Sequence, residues 1–289
     1  MNRLWNSWLA VSRGGVIPAV AVAILILTIL ACTIGPYFCP QNPYDLSQLS
    51  ITNSLVPPAE SDMDGAFHLL GTDDQGRDVL SSIVYGLRTS MAVALVATAG
   101  ALLIGVTVGL AAAYFGGAMD SVMMRLVDLQ LAFPSILIAL VLLSVFGTGA
   151  DKVIIAIIAV QWATYARTVR SVGMTERKKE YIEAARCLGY SGWRIMFRHL
   201  LPNCVTPLSV LIIVQTASAV LLEATLSFLG LGVPVTSPSL GMLISNGYAF
   251  MLRGDFWLTV YPGLTLMFVI FSMNAVGNRL REMREPGAS

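Results

Sequence analysis

Apolar runs of about 20 residues, nearly free of charge and set apart by short polar connectors, dominate the chain; a helix needs a run of that length to cross a hydrocarbon core. Six such runs are predicted, at residues 16–38, 89–114, 120–146, 153–170, 204–231 and 256–278. The second is charge-free and rich in Ala, Gly and Val, a composition that lets helices approach closely. Gly116-Gly117 and Gly147-Thr148-Gly149 read as tight turns, and Pro134 is predicted to kink the third run. The fourth is the weakest, because Arg167 and Arg170 must snorkel to an interface for it to cross. Asp128 has Arg125 three residues earlier, a spacing that suits a local ion pair. Residues 232–255, rich in Gly, Pro and Ser, read as a loop.

One long segment breaks the pattern. From Glu176 to Asn203 the chain is densely charged, and it reads as two short helices with a break. Residues 176–188 hold good helix formers, with acids early and Arg186 late, as a helix dipole prefers. Gly189 is a plausible left-handed stop, and Ser191 can cap a second helix through Trp193 and Phe197. Pro202 is expected to keep that helix from running unbroken into the fifth span. Such a solvated hairpin reads either as a docking element or as a charged loop that only sets topology.

Composition confirms the solvent. Of 289 residues, 56% are apolar and 12% charged, and mean hydropathy is +0.73, so the chain is an all-α integral membrane protein. The net charge of +1 says little, but its distribution says more. With six spans both termini share a side, and only Arg77, Arg88, Lys152 and Arg253 of the 18 basic residues fall on the other. That bias puts the hairpin and both termini in the cytoplasm. The first apolar run could be a signal peptide, and Ile29-Leu30-Ala31-Cys32 loosely matches a lipoprotein cleavage box, but the run exceeds a signal core of about 7–15 residues and reads as an uncleaved anchor.

Chemistry is sparse. Only His68 and His199 are present, and the 4 cysteines show no metal or redox spacing, so no metal site is expected. No phosphate-cradling G-x-x-x-x-G-K-[ST] sequence, nucleophile elbow or metal helix occurs, which argues against an enzyme and against nucleotide binding by this chain. Nothing points to nucleic acid. Intramembrane polar groups carry the remaining functional signal: Gln161, Gln215 and Glu223 are candidates for a polar translocation path, although Glu223 also fits a packing role. Gln130, Gln161 and Asn274 read as interhelical hydrogen-bonding groups first and as path-lining groups second.

Glu183-Ala184-Ala185, Gly189 and Leu201-Pro202 stand at the spacing of the E-A-A loop, and the hairpin resembles that of ATP-binding-cassette (ABC) importer permeases. Arg198-His199 before Leu-Leu-Pro-Asn is similar to the peptide and nickel branch. Leu70-Gly71-Thr72-Asp73 with Gly76-Arg77-Asp78-Val79, read as a turn and then an amphipathic surface helix before Arg88, resembles the segment before the second span of dipeptide, oligopeptide and nickel permeases. Met124-Arg125 through Phe133-Pro134, Ser227-Phe228-Leu229-Gly230-Leu231-Gly232 and Tyr261-Pro262-Gly263 add to it. Departures are Leu240 where the family usually has Trp, and Asn278 where an Asp commonly follows the Gly.

The resemblance implies the second, C-type permease of a type I importer, with six transmembrane helices. Its expected regions are a cytoplasmic N-terminus (1–15), a first span (16–38), an extracytoplasmic segment (39–88), a permease core (89–278) with a coupling loop at 173–203, and a cytoplasmic tail (279–289). Glu180, Glu183, Ala184, Ala185, Gly189, Leu201 and Pro202 would couple to the ATPase. Implied partners are a second homologous permease, two ATP-binding-cassette ATPases that use the ATP, an extracytoplasmic binding protein and the lipid of a bacterial inner membrane. Di- or oligopeptides are the expected substrates, with nickel or a metal chelate as the alternative within the family. An ion-gradient secondary transporter is the competing class, disfavoured because no internal repeat is visible.

Overall fold

The computed structural model describes residues 15–45, 49–234 and 237–284, and it is helical nearly throughout. The first span is α1, Val16–Thr33, and the second is α2, Val79–Phe115. Helix α2 has 37 residues, about 55 Å at 1.5 Å per residue, well over the roughly 30 Å of a hydrocarbon core. The amphipathic surface helix expected before Arg88 is therefore the first part of α2 rather than a separate element. Asp78 starts it: its carboxylate accepts from the Ser81 backbone N–H at 2.8 Å and from the Ser81 hydroxyl at 2.6 Å. Gly116, at φ 67°, ends it.

The third run does not cross as one helix. It is α3, Gly117–Ala132, and α4, Ser135–Phe146, bent by 91° at Phe133-Pro134. A proline usually kinks a helix that continues; here Phe133 turns to extended geometry and the two halves separate. The fourth span is α5, Ala150–Glu176. Beyond it lie α6, Glu180–Cys187, and α7, Gly192–Ile195, followed by a π-helical turn, Met196–Leu200, and then α8, Leu201–Phe228. Residues 176–188 do not form one helix, because Glu176 closes α5 and a turn through Lys179 restarts the chain at Glu180.

Pro202 does not separate the hairpin from the fifth span either. Residues Gly192–Phe228 run on as one helix, because the π turn shifts the hydrogen-bond register ahead of Pro202: the Leu201 N–H bonds the Met196 carbonyl. The stretch read as loop at 232–255 contains α9, Leu240–Tyr248, capped by the Ser239 hydroxyl on the Met242 N–H. Helix α10, Trp257–Arg284, is the last span, reaching past Asn278 into the expected tail. Arg3, Arg13 and the end of that tail lie outside the described residues.

A seam of small residues holds the centre together. Gly100 faces Ile158, Gly105 faces Trp162 and Tyr165, Gly109 faces Ala166 and Val169, and Gly173 faces Ala113. Those partners rise together along both helices, so α2 and α5 are parallel. Parallel spans need a return between them, which makes the bent α3–α4 pair a crossing and brings the total among the described residues to six. Helix α8 runs the other way: near its start Leu208 packs with Leu110, and near its end Glu223 faces Ser90.

Two arginines of α5 find partners on α3. Arg170 grips Asp120 with two bonds, Nε to Oδ1 at 2.5 Å and Nη2 to Oδ2 at 2.7 Å, and Arg167 pairs with Asp128. Asp128 thus bonds across helices and not to Arg125, because α3 lies alongside the charged end of α5. The two arginines are balanced by carboxylates there, not merely snorkelled.

Between the first two spans the chain folds into a small cap, with a two-stranded hairpin of β1, Glu60–Ser61, and β2, Phe67–His68. Thr72 donates its hydroxyl to the Asn53 carbonyl at 2.7 Å and accepts from the Val56 N–H at 2.8 Å, and Arg77 bonds Asp73 at 2.6 Å. Gly76 holds φ 74°, and a Cβ there would lie 2.1 Å from the Ser50 carbonyl oxygen. The Gly-Thr-Asp and Gly-Arg-Asp residues thus form the cap's framework.

His68, buried, bridges two carboxylates, Nδ1 to Asp78 at 3.0 Å and Nε2 to Asp62 at 3.3 Å. Burial opposes its charge, but the hydrogen bonds and charges of Asp78 and Asp62 outweigh it and raise the His68 pKa. Its stabilisation is full below the ordinary histidine value of about 6.5 and is lost as pH rises through the raised value. Hydrogen exchange, corrected for intrinsic rates, should show stronger protection of the β1–β2 hairpin at acidic than at alkaline pH. His68→Gln should flatten that dependence; an unchanged pH profile in the variant would assign it to another group.

Candidate functional site

The hairpin stands on a buried apolar base. Ile182 and Ala185 on one face of α6 pack with Leu110 of α2, Tyr165 and Val169 of α5, and Ile195, Met196, Leu200, Cys204 and Leu208 along the helix that becomes α8. This face repeats every three to four residues, as an amphipathic helix must. The opposite face is exposed and carries Glu180, Glu183 and Ala184. Ala185 is therefore the residue of the Glu-Ala-Ala trio that makes the close approach, while Glu183 and Ala184 face outward. Gly189 turns the chain at φ 74°, with open space around it, and Ser191 caps α7 through the Arg194 N–H.

Polar bonds lock the base. The Glu176 carboxylate accepts from Lys179 Nζ at 2.6 Å and from the Tyr181 hydroxyl at 2.8 Å. Asn203 Nδ2 donates to Tyr181 Oη at 3.0 Å and to the His199 carbonyl at 2.8 Å. The end of α5, the start of α6 and the foot of α8 thus share one network, so a push on α6 reaches two spans directly. Leu201 is half-buried and Pro202 exposed beside it. Arg186 lies 5.5 Å over the Tyr114 ring and Arg194 lies 4.2 Å over Tyr190, which also stacks on His199.

Sequence reasoning missed the hairpin's most prominent outward feature. Leu188 is 71% exposed and Trp193 66%, on the two sides of the Gly189 turn, and Trp193 rests on Phe197 with ring centroids 4.4 Å apart. The available signal was a Trp and a Leu in an otherwise charged loop.

Gln161 and Gln215 do come together: Gln161 Nε2 donates to the Gln215 carbonyl at 2.9 Å. Both line a cleft of about 330 Å³ with Gln130, Thr164, Ser218 and Ser135, at the place where α3 and α4 break. Glu223 is not among the residues lining it. It is fully buried, accepts from Ser227 at 2.7 Å, and is faced by Ser90 of α2 and Ser239, the cap of α9. Ser90 accepts from the Leu240 N–H and Ser239 from the Met242 N–H, which brings the start of α9 against α2 and α8 beside the carboxylate. Gly241 permits this, since a Cβ there would lie 2.0 Å from the Ala224 carbonyl oxygen. Among the described residues no group of three or more His, Cys, Asp or Glu side chains could hold a metal.

The family described as "Binding-protein-dependent transport system inner membrane component" matches residues 105–288, from the middle of α2 past the end of α10 and through the whole hairpin. The chain belongs to this family. Among relatives of this permease, the dipeptide transport system permease protein DppC of Haemophilus influenzae is 33% identical over 276 residues, 95% of this chain and 91% of that protein. The protein of the same name in Alkalihalophilus pseudofirmus is 38% identical over 76% of this chain and 72% of its own. The di/tripeptide transport system permease protein DppC of Pseudomonas aeruginosa is 34% identical over 99% of this chain and 92% of its own. A solved inward-facing structure of the MetNI methionine ABC transporter has a TM-score of 0.56 and 19% identity over 69% of this chain and 95% of that one. That likeness speaks for the fold, a type I ABC importer transmembrane domain. The permease is a multi-pass inner-membrane protein of a transport family rather than an enzyme family.

Proposed function

We propose that this permease is the second of two membrane subunits in an ATP-driven importer that carries di- or oligopeptides across a bacterial inner membrane. It pairs with a homologous permease, receives substrate from an extracytoplasmic binding protein, and docks its hairpin on one of two ATPase subunits. ATP is bound and hydrolysed there; this chain holds no cofactor and performs no catalysis. The charge bias supports a cytoplasmic side for the hairpin and both termini. Peptide is the substrate class because the relatives that match nearly the whole chain are named for dipeptide and di/tripeptide transport.

The observation that carries this reading is the exposed Leu188–Trp193 surface on a base bonded to α2, α5 and α8. An exposed aromatic on a rigid mount is the usual centre of a protein interface. Closure of the ATPases would move α6, and the Glu176–Tyr181–Asn203 network would carry that movement into the spans, shifting them between outward- and inward-open states.

ATP hydrolysis by the assembly in liposomes tests the proposal, with binding protein supplied empty, peptide-loaded or nickel-loaded. Peptide-loaded binding protein should stimulate hydrolysis most. Stimulation by the nickel-loaded form alone would replace the substrate. Uptake that survives ATP depletion and collapses with the ion gradient would replace the class.

A further inference from the structure

The polar cleft at the α3–α4 break has an unusual lining for a site between charged ends of a membrane protein: it carries no charge. Gln130, Ser135, Thr164, Gln161, Gln215 and Ser218 supply its polar groups, with Phe133 and Leu222 among the apolar ones. Irregular backbone at membrane depth is tolerated where it lines a polar cavity, and the Phe133-Pro134 break lies on this wall.

Two of the glutamines are incompletely satisfied. Gln161 is 4% exposed, and its Nε2 is committed to the Gln215 carbonyl, so the amide is held with Oε1 as a free acceptor; that atom has no partner. Gln130 Nε2, a donor, has no partner either. Both atoms are closed off from solvent, and a buried polar atom left unpaired costs about 1–3 kcal/mol, so a small side-chain rotation that brings either to the cleft and to a ligand's complementary group relieves that cost. One free acceptor and one free donor are the complement of a peptide unit, which offers an N–H and a C=O.

We propose that this cleft is a transport subsite that reads the amide backbone of a peptide in passage, with Gln161 Oε1 accepting a substrate N–H and Gln130 Nε2 donating to a substrate carbonyl. This rests on the importer reading above and narrows it. Without an imidazole, thiolate or carboxylate in its lining, the cleft lacks the ligands that suit a nickel ion. Without a countercharge it gives no purchase to a charged terminus. The amide units between the termini are what it can pair, and since every peptide has them, the subsite suits substrates of varied side chain. Gln215 acts through Gln161, as the residue that orients its amide.

The test uses the complete transporter in liposomes with saturating binding protein, and two probes: trialanine, and trialanine N-methylated on the amide nitrogen of its central residue. Uptake per ATP hydrolysed reads the passage step apart from capture. The wild type should favour the unmodified peptide by about three- to tenfold, the value of one hydrogen bond. Gln161→Leu should bring that ratio close to one by slowing trialanine. Gln161→Met, close in length, should do the same and guards against a folding artefact in the first variant. Gln130→Leu should slow both probes alike and leave the ratio. A wild type that does not discriminate, or a ratio that persists in both Gln161 variants, overturns the subsite. So does weakened subunit assembly at an unchanged ratio, which would assign Gln161 to packing against the partner permease. In those cases stimulation of hydrolysis by peptide-loaded binding protein leaves the importer reading standing; its absence in the wild type overturns both.

Discussion

Gly109→Val should prevent the second and fourth spans from seating against each other. A Cβ at Gly109 would lie 2.5 Å from the Ala166 carbonyl oxygen and 2.8 Å from the Val169 Cβ, and both belong to, or sit directly on, the backbone of α5. No rotamer change relieves that, so the helices must part. Overpacking of this kind costs about 1–3 kcal/mol in water-soluble cores. In lipid the loss is felt more directly, because separated helices meet hydrocarbon as apolar as the seam itself and packing is what holds them. Gly105 makes the same demand one turn away, with Tyr165 Cβ at 2.4 Å, so the seam has no slack to absorb a shift. The expected result is a sharp drop in the yield of monodisperse, assembled permease and in its thermal midpoint in detergent. Gly263→Ala is the matched control, since nothing lies within 4 Å of its added Cβ. Equal stability of the two variants would show that the seam is looser than its geometry requires.

Much of this architecture was legible from charge-poor run length alone, because a span must satisfy its backbone internally and so must be a long apolar helix. The turns at Gly116, Gly147 and Gly189 were legible for a related reason: all hold positive φ, where glycine is favoured. What escaped was decided by partners distant in sequence. Asp128 has a suitable arginine three residues away, yet bonds Arg167, because α3 lies along α5 and the longer-range pair is the one in reach. Pro134 and Pro202 look alike as helix breakers. One breaks its helix by 91° beside a polar cleft, while the other follows a π turn that lets its helix continue. Composition hid α9, since Ser239, Gly241 and Gly247 read as loop; their small size serves close contact with α8 and α10. Of the site, Gln161 and Gln215 line one cleft, a pairing of the fourth and fifth spans that sequence position alone does not give, whereas Glu223 is enclosed by Ser90, Ser227 and Ser239, two of them from other elements.

Trp193→Ala should uncouple the permease from its ATPase while leaving the spans intact. The ring is mostly exposed and rests on Phe197, so its removal opens no cavity in the buried base of Ile182, Ile195 and Leu200. Truncating a central interface aromatic costs about 2 kcal/mol or more, which is a weakening of ATPase association by roughly thirtyfold. Gly189→Leu should reach a similar end by a different route. Nothing lies within 4 Å of a Cβ there, so the penalty is conformational: φ 74° costs a non-glycine residue about 1–2 kcal/mol, and escape from it re-aims α6 relative to α7. Gly189→Asn, which tolerates that region, should retain more function than the leucine variant. Affinity of the purified ATPase for the membrane subunits separates the two routes, with hydrolysis stimulated by loaded binding protein as the second readout. Trp193→Ala should lower affinity with normal thermal stability. Should it leave affinity and stimulated hydrolysis at wild-type levels, the ATPase must engage the Glu180–Glu183 face instead, and the hairpin's aromatic edge would belong to the lipid interface.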